Sequence, residues 1–177
     1  MERLRVVGGA KLVGTVRVSG AKNSALKLMA ATLLAPGQSK ITNLPAIADV
    51  EYMAELLTRL GCQVDVKRDS NEVLIDVPQK LGHRADYDMV RKMRASINVL
   101  GPLIARELVA EVALPGGDAI GSRGLDFHIN GLTEMGAEVS SEHGFIIAKA
   151  PAGLKGAKIT LEFPSVGATE NIMTAAT

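Results

Sequence analysis

The chain has 177 residues, and 20 Lys and Arg against 19 Asp and Glu leave a formal charge of +1, with 47% hydrophobic residues, 3% aromatic and no tryptophan. That length supports one substantial core or two small ones, whereas near-neutral charge and so few rings argue against a nucleic-acid partner held by phosphate neutralisation and base stacking. The single cysteine, Cys62, excludes an internal disulfide framework and a zinc ribbon, no histidine stands in a metal-motif spacing, and neither a signal peptide nor a membrane span is visible, so a reducing, cytoplasmic setting without metal or membrane insertion is expected.

A strand is expected ahead of residue 21, followed by residues 25–35, which are apolar nearly all round and so suit a helix inside a domain. Leu44-Pro45 then leads to Asp49 and a helical face of Val50, Met53, Ala54, Leu57 and Leu60, stopped by Gly61, with QVDVK and EVLIDV after it as strands. Residues 97–105 form a second apolar helical stretch. Leu114-Pro115 opens the same order again: Leu125, Ile129, Leu132 and Met135 mark a helical face, Gly136 stops it, and AEVSS, a turn at Glu142-His143-Gly144 and FIIAK follow. The offset is roughly 70 to 75 residues. A further echo links Leu12, Gly14 and Ser19-Gly20-Ala21 to Leu154, Gly156 and Ser165-Val166-Gly167-Ala168, so the chain reads as two repeats and the opening of a third. Residues 172–177 stop within an apolar helical pattern that has no Gly or Asn behind it, and a fragment of a longer polypeptide is the expectation.

Each repeat thus holds a strand, an apolar helix, a strand, an amphipathic helix and a hairpin, the alternation of periods 2 and 3.6 that marks an α/β protein. Apolar helices packed together at the centre with sheets outside them is the arrangement this pattern favours; a plain α/β sheet covered on both faces is the alternative.

Three glycine-bearing turns ahead of helices are candidate anion sites, because free N-terminal amides and the positive end of the helix dipole attract negative charge. In residues 18–23, VSGAKN, Ser19 is placed to cap, Gly20 permits close backbone approach and Lys22 adds a full charge, although Lys22 read alone is more readily a solvated surface lysine. In residues 114–126, LPGGDAIGSRGLD, four glycines surround Asp118 and Arg123 without the order of a P-loop. Arg123 there suits a bidentate clamp and Asp118 an acid or base, and a long hairpin-like loop capped by the Asp is the competing reading. The third turn, residues 163–171, FPSVGATEN, is a helix start capped by Ser165. Arg91, Lys92 and Arg94 precede the second apolar helix, the first two reading as a solvated basic turn. Together Lys22, Arg94, Arg123 and Asp118 suggest a cleft for a substrate with several phosphates or carboxylates.

SGAKNSALKLMAATLL, MRASINVLGPLIA, LPGGDAIGSR and PSVGATENI, in that order, resemble the enolpyruvyl transferase family, over residues 4–177. The S-G-A-K-N and L-P-G-G-x-x-I-G combination resembles the branch that acts on UDP-N-acetylglucosamine rather than the 3-phosphoshikimate branch. The resemblance implies an inside-out α/β barrel of two domains with three repeats each. Residues 1–20 would then be N-terminal strands packed with the second domain, and residues 21–177 an incomplete first domain. It also implies cytoplasmic transfer of the enolpyruvyl unit of phosphoenolpyruvate to the 3-hydroxyl of UDP-N-acetylglucosamine with release of phosphate, the first committed step of peptidoglycan synthesis, with no cofactor.

By the same resemblance Lys22 and Asn23 match the pair at the phosphoenolpyruvate and sugar site, Arg94 an arginine on the nucleotide sugar, and Arg123 one that grips phosphoenolpyruvate. Gly124, Leu125, Asp126, Phe127 and His128 fall where the uridine part binds, and Ser165, Val166 and Gly167 where the uridine diphosphate is met. Asp118 takes the proton-donor position, where most members carry cysteine, so escape from fosfomycin, whose epoxide alkylates that cysteine, is expected. Gly124 stands where many members have proline, and Phe163-Pro164 precede Ser165 where some have lysine. The general base and further arginines would come from the second domain. The competing reading from another class is a non-catalytic repeat module that binds an anionic nucleotide or a partner.

Overall fold

The computed structural model describes residues 3–90, 93–114 and 124–177. Residues 3–20 form no strand, and the first element is α1 (Lys22–Ala31), continued by a 3-10 turn at Thr32–Leu34. Strand β1 (Gly37–Ile41), helix α2 (Ala48–Arg59) and the strands β2 (Gln63–Lys67) and β3 (Glu72–Val77) complete the first unit. The second runs through β4 (Arg84–Ala85), the short α3 (Tyr87–Val90), a 3-10 stretch at Arg94–Val99 that leads directly into α4 (Leu100–Glu107), then β5 (Val109–Ala113), α5 (Asp126–Glu134), β6 (Glu138–Glu142) and β7 (Phe145–Lys149). Helix α6 (Val166–Ala175) follows.

The repeat read from the sequence is repeated geometry. One sheet has the order β1-β3-β2 and the other β4-β5-β7-β6, so β5, β7 and β6 take the places of β1, β3 and β2. Pairing is antiparallel in both cores, Ser39 opposite Ile75 and Val64 opposite Ile75 in one, Glu111 opposite Ile147 and Ser140 opposite Ile147 in the other, while β4 adds to β5 in parallel. Both amphipathic helices stop in the same way. The amides of Gly61 and Cys62 return to the carbonyls of Thr58 and Leu57, and those of Gly136 and Ala137 to Thr133 and Leu132, with Gly61 at φ +104 and Gly136 at φ +91. These are Schellman stops, in which the left-handed residue is glycine because a Cβ is disfavoured there. The β6–β7 turn falls on His143 and Gly144, both with positive φ, the two-residue geometry whose twist matches that of its strands.

One hydrophobic cluster runs through both units: Leu26, Met29 and Leu33 from the first apolar segment, Leu100, Leu103 and Ile104 from the second, and the inward residues Val73, Ile75, Val112, Ile146 and Ala148 of the sheets. The apolar helices touch one another, α4 against α6 and the 3-10 stretch before α4 against both α1 and α6. Helix α1 is less uniformly apolar than its composition suggests, since Leu28 is half exposed and Lys27 pairs with Glu170 of α6. The second apolar stretch begins as a 3-10 helix rather than an α-helix. Arg106 on α4 ties the unit ends together, donating to the carbonyls of Leu33 at 2.8 Å, Pro78 at 3.1 Å and Gln79 at 2.8 Å.

The strands expected within residues 1–20 are not formed in the described part, residues 3–20. A strand needs a neighbour for its amides and carbonyls, and Leu4, Leu12 and Val16 lie open to solvent. Ser19 does not cap α1 either. The helix begins at Lys22, the cap position is Ala21 without a side-chain bond, and Ser19 lies two residues too early to reach the orphan amides.

Helix α6 seats against α4 and α5 on glycines. A Cβ on Gly101 would run into the backbone oxygen of Asn171 and Oγ1 of Thr174, whereas one on Gly131 would meet only side-chain atoms, Cδ1 and Cγ1 of Ile172 nearest. Backbone cannot yield and a side-chain tip can, so Gly101→Ala is expected to lower stability by about 2 kcal/mol and Gly131→Ala by about 1 kcal/mol or less. Urea denaturation midpoints of the two variants check the order.

Candidate functional site

The helix starts singled out in the sequence divide into a connected group and a separate one. Arg94 opens the 3-10 stretch before α4, His128 lies in the first turn and a half of α5, and Ser165 and Gly167 open α6. Ser165 caps α6 as expected, its Oγ accepting from the Ala168 amide at 3.3 Å. His128 is buried, 6% exposed, and a Cβ on Gly167 would stand 3.9 Å from its Cε1 and Nε2 atoms. Removal of the ring from water pushes the His128 pKa down to about 4, and the positive charge of Arg94 acts in the same direction. The structure therefore gathers Arg94, His128, Ser165 and Gly167 around the start of α6, where free amides favour an anion.

Around that group, Gly124 packs on the Asp126 carboxylate, Leu125 is the half-buried residue before α5, Asp126 sits in its first turn, Phe127 is half-buried, and Val166 is exposed. Lys22 and Asn23 are exposed on the first turn of α1, and Lys22 Nζ stands 2.5 Å from Oδ2 of Asp49 in the first turn of α2. The ammonium is thus held by a carboxylate that the sequence reading did not select, although its place at a helix start, where negative charge is favoured, was the available signal. Asp118 and Arg123 lie outside the described residues, as do Arg91 and Lys92.

The second residue missed by the sequence is Asn171. It is 1% exposed on the inner face of α6, between Ala168 and Ala175. Its Nδ2 lies 2.9 Å from His128 Nδ1, and its Oδ1 accepts the Gly101 amide at 2.8 Å. An amide on an otherwise apolar helical face is the signal that finds it, because buried polar groups require partners.

Among the described residues no group of three His, Cys, Asp or Glu is placed to hold a metal ion, and no helix is long and apolar enough to cross a membrane. Cys62 is buried, which raises its thiol pKa to about 11 and leaves it a poor nucleophile near neutral pH.

Residues 6–177 match the model of the EPSP synthase (3-phosphoshikimate 1-carboxyvinyltransferase) family, so the chain belongs to that family of enolpyruvyl transferases. It is 57% identical over 171 residues, 97% of its length, to a protein of Corynebacterium jeikeium named UDP-N-acetylglucosamine 1-carboxyvinyltransferase. Proteins of the same name from Mycobacterium bovis and from Caulobacter sp. are 57% and 51% identical over 99% of the chain. The chain spans about 40% of the length of these curated relatives. Among solved structures, EPSP synthase from Acinetobacter baumannii superposes with a TM-score of 0.70 at 18% identity, over 92% of this chain and 37% of that one. The enolpyruvyl transferase NikO from Streptomyces tendae does so with 0.64 at 22% identity, over 84% and 32%. At such low identity these two establish a shared α/β fold.

A histidine whose folded pKa lies near 4 binds fewer protons than its unfolded counterpart, with an ordinary value of 6.5, throughout the interval between them. Its contribution to stability is therefore present above pH 6.5 and lost as pH falls through 4, an effect approaching about 3 kcal/mol. The unfolding free energy of the native chain minus that of His128→Asn is expected to fall across this window, as read from urea curves at pH 4, 5.5 and 7.

Proposed function

We propose that the chain is the first part of an enzyme that transfers the enolpyruvyl unit of phosphoenolpyruvate to the 3-hydroxyl of UDP-N-acetylglucosamine and releases phosphate. One observation carries this reading: identity of 50–57% across nearly the whole chain to proteins named for that reaction. The shikimate alternative shares the family model, whose description names that reaction. The setting that goes with this activity is the cytoplasm of a bacterium, at the entry to peptidoglycan and cell-wall synthesis.

On this reading the start of α6 receives the uridine diphosphate. Ser165, Val166 and Gly167 offer hydroxyl and amide groups there, and residues 124–128 line the uridine. Arg94 adds charge on the nucleotide-sugar side. Two anionic substrates repel in one cleft, and Lys22, beside Asn23, offsets that repulsion when its ammonium turns from Asp49 to phosphoenolpyruvate, with Arg123 as a second grip.

The sugar oxygen attacks C2 of phosphoenolpyruvate while a proton is delivered to C3, turning the methylene into a methyl group. Loss of a proton from that methyl then expels phosphate and restores the double bond. Asp118 is the proton donor of the first half. A carboxylic acid fills this role when its surroundings keep it protonated, which a site crowded with substrate carboxylate and phosphate promotes.

The finer architecture belongs to the same reading: α1, α4 and α6 form the inside of an inverted barrel with both sheets outside, and residues 21–177 are an incomplete first domain. The side chains of Leu4 and Leu12, 100% and 93% exposed, then belong against a second domain, which also brings the general base. A non-catalytic anion-binding module is the second reading, and the open Lys22 and α6 start suit it equally.

The 177-residue chain alone is expected to turn over nothing. Joined to the remaining 60% or so of the Mycobacterium bovis relative, it is expected to release phosphate from phosphoenolpyruvate with UDP-N-acetylglucosamine; dependence on shikimate 3-phosphate instead overturns the reading, and no release with either favours the module. The same chimera is expected to keep its activity and its intact mass in fosfomycin, whereas Asp118→Cys gains one adduct and loses activity. Inactivation of the parent chimera by the drug would remove Asp118 from the proton-donor role.

A further inference from the structure

Asn171 answers a question that heavy-atom positions of a histidine leave open, namely which ring nitrogen carries the proton. A backbone N–H only donates, so the atom of Asn171 that faces the Gly101 amide at 2.8 Å is its oxygen. The other end of the same planar amide is then NH2, a donor, and it faces His128 Nδ1 at 2.9 Å. A donor can be met only by a nitrogen with a free lone pair. Nδ1 is therefore unprotonated, and the proton of the neutral ring sits on Nε2.

The rest of the surroundings agree with this assignment. Asn171 is 1% exposed and His128 6%, so water does not compete for either group. The Asn171 side chain is confined between α4, where Gly101 leaves no room for a Cβ, and α5, which carries the ring. An imidazolium would set N–H against N–H at Nδ1. The charged group that acts on the ring is Arg94, on the segment before α4, and Asn171, which faces it from α6, is uncharged. Both features oppose a second proton. The Nε2 edge of the ring lies along Gly167, at the opening of α6 where Ser165 caps the helix.

We infer that Asn171 is a positioning residue that locks His128 as the neutral ring with its proton on Nε2, so that the ring offers one fixed hydrogen-bond donor beside the free amides of the α6 start. This deepens the proposed reading of that start as a diphosphate site, on which its use rests. A neutral donor of this kind meets an acceptor oxygen of the uridine diphosphate without changing charge with pH, and it leaves Arg94 as the cation of the group. Neither the motif nor the comparisons assign Asn171 a part.

The ring of His128 in the ligand-free 177-residue chain decides the matter by nitrogen-15 NMR, with the His128→Gln variant used to assign its signals among the three histidines. The expected spectrum at pH 7 shows protonated Nε2 and unprotonated Nδ1, unchanged down to pH 5.5. Protonated Nδ1, or averaging between the two tautomers, would overturn the inference without any variant being needed. Asn171→Asp supplies an acceptor to Nδ1 while retaining one for Gly101, so there the ring is expected to hold both protons near neutral pH. A ring that titrates as in the native chain despite that carboxylate would also overturn it. Uridine diphosphate is the probe for the reading beneath: a shift of the Nε2 proton on titration supports the site, and absence of any shift with the tautomer as expected removes the diphosphate reading while the Asn171 assignment stands.

Discussion

The seam between α4 and α6 closes because Gly101 has no side chain and because Asn171 meets the amide exposed by that closeness. A buried amide without a partner disfavours folding as much as a lost hydrogen bond, so the approach and the acceptor are one requirement. The other end of Asn171 reaches His128, and the residue before it, Glu170, pairs with Lys27 of α1. Consecutive residues of α6 thus join it to α1, α4 and α5. That junction ties α6 to the helices that carry Lys22 and His128 and to α4, which continues the segment opened by Arg94.

The sheets supply the frame around it. The recurrence of the strand order and of both Schellman stops shows that each unit solves its own local problem in the same way. Each of the three-stranded arrangements buries alternate residues, such as Val73, Ile75 and Val77 of β3, against the helices. The second unit adds β4, which pairs in parallel with β5. Arg106 then binds the carbonyl ends of the first unit to the second.

Among the described residues the candidate site is built from helix starts, where backbone amides favour an anion without side-chain chemistry. Lys22 is paired with Asp49, which keeps an exposed cation satisfied yet available, since an ion pair open to water is weak. His128, buried and neutral, adds a donor without adding charge.

Much of this was legible in the sequence. QVDVK, EVLIDV and FIIAK announce their strands by alternation, and Gly61 and Gly136 announce helix ends because a left-handed residue there is nearly always glycine; these are local effects, decided by a few neighbouring residues. Ser165 as a cap was equally local. The mistaken cap at Ser19 and the absent strands in residues 3–20 mark the limit, because where a helix begins and whether a strand forms depend on partners far along the chain. The sequence by itself determined the repeat and the types of the later strands and helices. Only the tertiary structure decided that Lys22 faces Asp49, that His128 is buried beside Gly167, and that Asn171 spans 70 residues back to Gly101, since a hydrogen bond between distant segments leaves no periodicity to read.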